Sequence, residues 1–323
     1  MLRYIIKRLL ALIPVLLLVT ILLFTILKLM PGDPVRMMLG PDLKADQYAQ
    51  AEAAMREKLG LDKSYPEQYF KWIKNTVSGD LGWSTMNNRP VKDAISEPMK
   101  NTLILNIFVI ILQLSITLPV GIMCAVRRGS RFDRFWQVFS LITYSMPSFF
   151  IALCLIFIIA IRMKLLPPGG MPLTIYGKNT AYYLSWLRYM VLPVVTLTII
   201  SLAGTIRYVR NAMIDALSQD YIRTARSKGL AEKVVIYSHA FRNALVPIST
   251  IIIFSIFSLF SGSAITETVF AWNGIGHVLV KALNNRDFML VSVMNLFFTS
   301  MSLVASFAAD ITYGLVDPRI KLE

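Results

Sequence analysis

The segment DYIRTARSKGLAEKVVIYSHAFRNALVP, from Asp220 to Pro247, lies between two long apolar runs and sets the organisation of the chain. It is basic and partly polar, whereas the sequence on both sides has the composition of membrane helices. With 55% hydrophobic and only 16% charged residues, the 323-residue chain has too few polar side chains to cover a soluble globule of its size. The sequence therefore predicts an integral membrane protein with one segment available to a soluble partner.

Six charge-free apolar windows are long enough to cross a bilayer, whose hydrocarbon core takes about 20 residues of helix. They show no alternation of period two, and backbone groups in lipid have to be satisfied within one segment. We therefore expect an all-α integral membrane protein with six transmembrane helices. The predicted spans are Leu9–Leu27, Asn101–Val126, Phe135–Ile161, Tyr189–Ile206, Asn243–Thr266 and Phe288–Ala309.

Lysine and arginine are distributed unevenly between the two sides of these spans. Sixteen flank the spans on the side of the two termini, and six lie in the short connections on the other side. Cytoplasmic loops carry the excess of basic residues in membrane proteins, so both termini are predicted to be cytoplasmic. The same bias accounts for the net charge of +14 without a nucleic-acid partner.

Composition divides the chain into an N-terminal end with the first span, a large polar external loop, a transmembrane core and a cytoplasmic tail. In order, these parts are residues 1–30, 31–100, 101–317 (with a basic loop at 207–243) and 318–323. Within the external loop, helical composition predicts a helix over Asp46–Leu59 that stops at Gly60. Apolar residues at helical spacing predict another short helix after Pro66.

The sequence shows no arrangement of residues suited to catalysis or to metal binding. Cys124 and Cys154 lie in apolar runs without ligand spacing, and His239 and His277 are isolated. The stretch GGMPLTIYGKN lacks the spacing and the hydroxyl residue of a phosphate-binding loop. The predicted spans carry no charged residue in their middles, where ion-coupled transporters usually keep a relay group. We therefore expect a non-enzymatic chain without a cofactor, driven by another polypeptide.

Polar residues and a proline inside two predicted spans are candidates for a bend or for the lining of a pathway. Gln113 lies in the second span, and the run Tyr144, Ser145, Met146 and Pro147 lies in the third. A proline beside hydroxyl groups in a membrane helix often faces other helices or a cavity. Ordinary helix packing is the alternative for all five residues.

A short helix is predicted at the start of the segment Asp220–Pro247, to which we refer as the central segment. Asp220 is expected to cap it, and Gly229 to end it. Ala225 and Gly229 give it a face of small residues, which is suited to a groove on a soluble partner. An amphipathic helix held at the surface by anionic lipid is the alternative.

The run RTARSKG at Arg223–Gly229 resembles the EAA-type loop of bacterial ABC importer permeases. It departs from the general pattern at Arg223 and Thr224, where that pattern has Glu and Ala, and in the longer stretch that follows. Together with seven further motifs it resembles the first membrane subunit of dipeptide, oligopeptide and nickel importers. These motifs are PGDP (Pro31–Pro34), GLD (Gly60–Asp62), GDLG (Gly79–Gly82), YSMPSF (Tyr144–Phe149), HAFRNALVP (His239–Pro247), ETVFAWNGIG (Glu267–Gly276) and DPRI (Asp317–Ile320).

The resemblance implies a type I ABC importer permease fold in a multi-pass protein of the bacterial cytoplasmic membrane. It implies a homologous second permease subunit, two cytoplasmic ATP-binding subunits that carry ATP and Mg²⁺, and an external substrate-binding protein. The substrate would be a di- or oligopeptide, taken up by alternating access, with the helix at residues 221–229 coupling the chain to the ATPases. The coupling residues would be Asp220, Tyr221, Arg223, Thr224, Ala225, Arg226, Lys228, Gly229, His239, Arg242 and Asn243.

Other functions are also compatible with the sequence. Nickel–chelate import uses the same fold, and the scarcity of histidine does not exclude it because the external binding protein would hold the metal. A secondary transporter or channel working alone would differ by showing flux without ATP. A purely structural scaffold is the remaining alternative.

Overall fold

The computed structural model describes residues 2–29, 35, 45–59, 62–172 and 180–316, most of them in helices. The chain divides into two compact units, and unit 1 holds most of the membrane core. Unit 1 comprises Met1–Leu9, Met99–His277 and Met301–Glu323, and unit 2 comprises Leu10–Pro98 and Val278–Ser300. The PGDP and DPRI motifs, the tail at 318–323 and the predicted stop at Gly60 lie outside the described residues.

The long helices alternate with short ones along the chain. The first part contains α1 (Leu2–Leu29), α2 (Ala45–Leu59), α3 (Tyr65–Val77) and a hairpin of β1 (Trp83–Ser84) with β2 (Arg89–Pro90). The middle part contains α4 (Val91–Val126), α5 (Arg131–Ser145), α6 (Ser148–Arg162, ending in a π-helical turn) and α7 (Thr180–Leu217). The last part contains α8 (Asp220–Ser227), α9 (Glu232–Ser258), α10 (Ala264–Val269), α11 (Ile275–Asn284) and α12 (Phe288–Val316).

Five described helices are long and apolar enough to cross a bilayer, namely α1, α4, α7, α9 and α12. Helices α5 and α6 pass the same test only as a pair, and they are bent by 105° at the break between them. Pro147 precedes α6 in an extended conformation, and a proline cannot donate the hydrogen bond that would continue the preceding helix. The predicted third span is therefore a broken element, and the number of crossings and their orientation stay predictions.

The predicted fifth span ends earlier than its composition indicated. Helix α9 stops at Ser258, whereas the apolar window continued to Thr266. The side-chain amide of Asn106 donates to the carbonyl oxygens of Leu259 and Ser261, both at 3.0 Å, and so satisfies groups at the end of the helix. The turn that follows requires glycine, because a Cβ on Gly262 would lie 2.2 Å from the backbone nitrogen of Gly276.

In unit 2, the predicted helix after Pro66 is confirmed as α3, and its apolar face packs on α1. The ring of Phe24 lies 5.5 Å from that of Tyr69 and 6.0 Å from that of Trp72, measured between centroids. The hydroxyls of Thr20 and Tyr69 are 2.8 Å apart. The helix predicted over Asp46–Leu59 is likewise confirmed as α2.

The motif ETVFAWNGIG has a structural explanation within unit 1. Glu267 is buried, and its carboxylate accepts hydrogen bonds from the Thr102 hydroxyl at 3.0 Å and from the backbone N–H of Ser263 and of His277. Burial raises the pKa of this carboxyl, and the hydrogen bonds act in the opposite direction. A Cβ on Gly274 would lie 2.5 Å from a Glu267 oxygen, so the glycine is needed for the carboxylate to reach its donors.

Helices α4 and α7 approach each other closely at Gly121. A Cβ at this position would lie 2.7 Å from Cγ1 of Val209 and 3.3 Å from the carbonyl oxygen of Ile206. One turn away from this contact, the hydroxyls of Thr117 and Thr205 are 2.9 Å apart. Small residues allow membrane helices to pack backbone to backbone, and hydroxyl pairs add hydrogen bonds across the contact.

We expect Gly121→Ala to destabilise the protein by about 1–3 kcal/mol, because the added methyl group overpacks the contact between α4 and α7. The measurement is thermal unfolding of the protein in detergent. Gly204→Ala on α7 is the matched control, since a Cβ there meets nothing within 4 Å. Equal unfolding temperatures for the two variants would contradict this account of the α4–α7 contact.

Candidate functional site

Helix α8 begins at Asp220, one residue before the start that a cap at Asp220 implied. Its N-cap is Gln219, which has an extended backbone, and Asp220 is the first helical residue, so the prediction of Asp220 as the cap is wrong. The Asp220 carboxylate lies 3.5 Å from the Arg223 guanidinium on the exposed surface. An acidic residue in the first turn still favours the helix through its dipole.

The predicted end of α8 at Gly229 is confirmed. Gly229 has φ of +76°, its N–H donates to the Arg226 carbonyl at 2.9 Å, and the N–H of Leu230 donates to the Ala225 carbonyl. These bonds form the Schellman arrangement that commonly ends a helix at a glycine. The chain can therefore reverse directly into α9.

Two residues of α8 are buried, and they fix the helix to the rest of unit 1. Ile222 is 0% exposed and Ala225 is 5% exposed. They belong to an apolar cluster at the ends of three long helices, to which we refer as the anchor cluster. Its buried members are Ile122 and Ala125 of α4, Val209, Met213 and Ala216 of α7, Ile222 and Ala225 of α8, and Val235, Ala240, Ala244 and Ile248 of α9.

This burial contradicts the expectation that Ala225 and Gly229 form one exposed face of small residues. Ala225 points into the anchor cluster of its own chain and is not available to a partner, whereas Gly229 is exposed. The reason is the helical period, because Ile222 and Ala225 are three positions apart and share one face. The exposed positions of the segment are Tyr221, Arg223, Thr224, Arg226, Ser227, Lys228 and Gly229.

The exposed face of α8 is cationic. The Arg223 side chain is 79% exposed, and Lys228 is exposed at the end of the helix. Arg226 makes a two-pronged ion pair with Glu232, with nitrogen–oxygen distances of 2.6 and 3.1 Å. Since Glu232 begins α9, this pair holds the two helices together across the turn at Gly229.

The predicted residues downstream of α8 lie on α9. Its section Val235–Phe241 is π-helical, and the Asn243 amide donates to the His239 carbonyl at 2.7 Å. Arg242 and Asn243 are exposed, and His239 is half-buried. Burial raises the pKa of the Tyr221 hydroxyl, and a hydrogen bond with Asn243 opposes that shift, so the structure brings these two residues together.

The five candidates for a bend or a pathway separate into two groups. Tyr144, Ser145, Met146 and Pro147 form the bend between α5 and α6, where Tyr144 is 74% exposed and the Ser145 hydroxyl donates to the Leu141 carbonyl. Gln113 instead lines a cleft of about 460 Å³ between α4, α7 and α9, and an adjoining one of about 270 Å³. We refer to the larger of the two as the polar cleft.

A buried ion pair that the sequence analysis did not single out joins α5 to α7. Asp133 is 2% exposed, and its two carboxylate oxygens accept from Nε and Nη2 of Arg210 at 2.6 and 2.9 Å. The backbone N–H of Gly129 also donates to this carboxylate. The run Ser130-x-x-Asp133 marks the start of a helix, but nothing in the sequence links it to Arg210.

We expect Asp133→Ala and Arg210→Ala each to destabilise the protein by about 3 kcal/mol, because each leaves a buried charge without its partner. The double variant should lose less than the sum of the two, and a double-mutant cycle of unfolding free energies measures the difference. Arg207→Ala, an exposed position on the same helix, is the control. Additive losses would show that the pair is not coupled.

A second comparison tests which face of α8 is buried. We expect Ala225→Trp to lower stability by about 3 kcal/mol or more, because the indole overpacks the anchor cluster. The neighbouring exposed variant Thr224→Trp should stay within about 0.5 kcal/mol of the original protein. Yield of folded protein from membranes and thermal unfolding provide the readouts, and greater damage from Thr224→Trp would reverse the assignment.

The chain matches known families over most of its length. Residues 117–322 match the family described as binding-protein-dependent transport system inner membrane component, and residues 1–106 match the N-terminal part of such components. The oligopeptide transport system permease protein AppB of Bacillus subtilis (strain 168) is 37% identical, over 99% of this chain and 100% of the relative. The dipeptide transport system permease protein DppB of Escherichia coli (strain K12) is 35% identical, over 99% of each chain.

A solved structure supports the same conclusion at the level of the fold. The inward-facing MetNI methionine ABC transporter aligns with a TM-score of 0.53 at 17% identity, over 69% of this chain and 96% of that chain. The expected all-α membrane fold of the type I permease kind is therefore confirmed. The chain belongs to the binding-protein-dependent transport system inner membrane components, the non-catalytic permease subunits of ABC transporters.

Proposed function

We propose that the chain is a permease subunit of an ATP-driven importer of di- and oligopeptides in a bacterial cytoplasmic membrane. The observation that carries the proposal is the construction of α8, which buries one apolar face in the anchor cluster and presents a cationic face outward. The names of the relatives, an oligopeptide and a dipeptide permease, support peptides as the substrate. They favour peptides over the nickel chelates that the sequence left open.

In the proposed assembly, other subunits deliver the substrate and hydrolyse ATP. The family description requires a binding protein, which would deliver the substrate from outside. Two ATP-binding subunits would hold ATP and Mg²⁺ on the predicted cytoplasmic side, and a homologous second permease subunit would complete the pathway. Dependence on a binding protein also argues against a secondary transporter or channel that works alone.

Helix α8 would receive the displacement of an ATPase subunit and pass it into the membrane. Its exposed side, with Arg223 and Lys228, would lie in a cleft of that subunit, in the manner expected for a cationic surface that meets an acidic one. Its buried side contacts the ends of α4, α7 and α9. Packed side chains are nearly incompressible, so closure of the ATPases would move these helices together with α8 and change the side to which the pathway opens.

The test is charge reversal on the exposed face. In the complete importer reconstituted with its partner subunits, we expect Arg223→Glu to lower ATP-dependent uptake of a radiolabelled dipeptide by about tenfold, because it places an acidic group at a contact that is complementary to a cation. Arg128→Glu is the matched control, since Arg128 is an exposed cation in the loop between α4 and α5, on the same predicted side but outside the central segment.

Three outcomes separate the parts of this proposal. Full uptake by the Arg223→Glu variant would remove α8 from the contact with the ATPase. Equal loss in both variants would indicate a general effect of charge at this surface. Absence of peptide uptake by the unaltered importer, with ATP hydrolysis intact, would overturn the assignment of peptide as substrate.

A further inference from the structure

The polar cleft is lined by a side-chain amide that forms no hydrogen bond with the part of the chain that the structure describes. Gln113 lies on α4 and is 6% exposed, and among the described residues no hydrogen bond to its carboxamide is formed. Although the residue is largely buried, its amide atoms still reach the cleft, where water or a bound molecule can complete their hydrogen bonds. Because Gln113 lines both the polar cleft and the adjoining one, its amide is available to a molecule that enters there.

The rest of the lining offers hydrogen bonds without charge. Ser201, Thr205 and Tyr208 follow one another at helical spacing on one face of α7. Thr250, Ser255 and Ser258 face them from α9, together with the apolar Ile251 and Phe254. The lining residues that the structure describes include no Lys, Arg, Asp or Glu. The lining therefore has no fixed charge that would select ionised groups of one sign.

We propose that Gln113 binds the main-chain amide groups of the transported peptide, an inference that rests on the proposed function. A carboxamide is complementary to a peptide group, because its oxygen accepts from a peptide N–H while its NH₂ donates to a peptide carbonyl. The main chain is the part that all peptides share. A neutral amide among hydroxyl groups therefore lets one site serve peptides with different side chains.

The size of the polar cleft fits this occupant. Its volume of about 460 Å³ falls in the range of clefts that bind small molecules, and it opens to the surface of the chain. A lipid chain in the same space would leave the Gln113 amide facing apolar groups, and a helix of a neighbouring subunit could also fill it. The substrate accounts for the amide, and the two other occupants are outcomes of the test.

The first experiment measures protection of the cleft by substrate. In a background of Cys124→Ala and Cys154→Ala, Ser255→Cys is placed in the complete importer in proteoliposomes and exposed to a charged, membrane-impermeant thiol reagent. We expect the introduced cysteine to be labelled. Saturating trialanine should lower the labelling rate at least fivefold, with the binding protein present both with and without trialanine. Ser78→Cys, an exposed position just beyond α3, is the control and should be labelled at the same rate with and without trialanine.

Either of two results would overturn the inference. Failure to label Ser255→Cys in the complete importer would mean that a neighbouring subunit or lipid fills the polar cleft. Labelling that trialanine does not slow would mean that the cleft is open to water but does not hold the peptide. Both results are obtained without changing Gln113, so they do not depend on the folding of a Gln113 variant.

The second experiment changes the amide itself. We expect Gln113→Leu to lower trialanine uptake about tenfold with ATP hydrolysis and protein yield unchanged, and Gln113→Asn to retain part of the uptake because it keeps the carboxamide. Thr198→Val is the matched control, since Thr198 is a buried hydroxyl on α7 outside the cleft and should tolerate the change. Undiminished uptake by Gln113→Leu overturns the inference alone, whereas an unaltered importer that takes up no peptide contradicts the proposed function.

Discussion

The burial of Ile222 and Ala225 in the anchor cluster is the constraint on which the rest of the structure depends. Helix α8 has eight residues, and a helix of this length is not stable in water by itself. It is held in place because its one apolar face packs against α4, α7 and α9, and because Gly229 and the ion pair of Arg226 with Glu232 fix its end. The same packing decides which side chains face outward, and so it creates the cationic surface.

The sequence predicted well those features that depend on neighbouring residues or on the thickness of the bilayer. The apolar windows identified the long helices, because a membrane-spanning helix needs a fixed length and a low charge whatever its partners are. The helices α2 and α3 followed from local composition and spacing, and the end of α8 followed from Gly229. Each of these features is decided within about one or two turns of helix.

Features set by distant residues could not be predicted in this way. The end of α9 depends on Asn106, more than 150 positions earlier, and on the close approach of Gly262 and Gly276. The pairing of Asp133 with Arg210 spans 77 positions, and the face of Ala225 depends on where α7 lies. The proline marked the break between α5 and α6, but the local sequence does not contain its angle of 105°. The sequence alone shows which residues are present, but it does not show which of them contact each other.

Helix α7 joins the two candidate functional regions and makes them mechanically dependent. It carries Thr205 and Tyr208 in the wall of the polar cleft, and Met213 and Ala216 in the anchor cluster. From Thr205 to Met213 the helix rises by only about 12 Å, at 1.5 Å per residue, and this section has no proline. Helix α9 has the same order, with Ala244 and Ile248 in the cluster before the hydroxyl residues of the cleft, but it contains Pro247 in this section. Because α7 continues from the cluster to the cleft without a proline, it is the rigid element through which a displacement of α8 would reach the cleft if α8 couples to an ATPase as proposed.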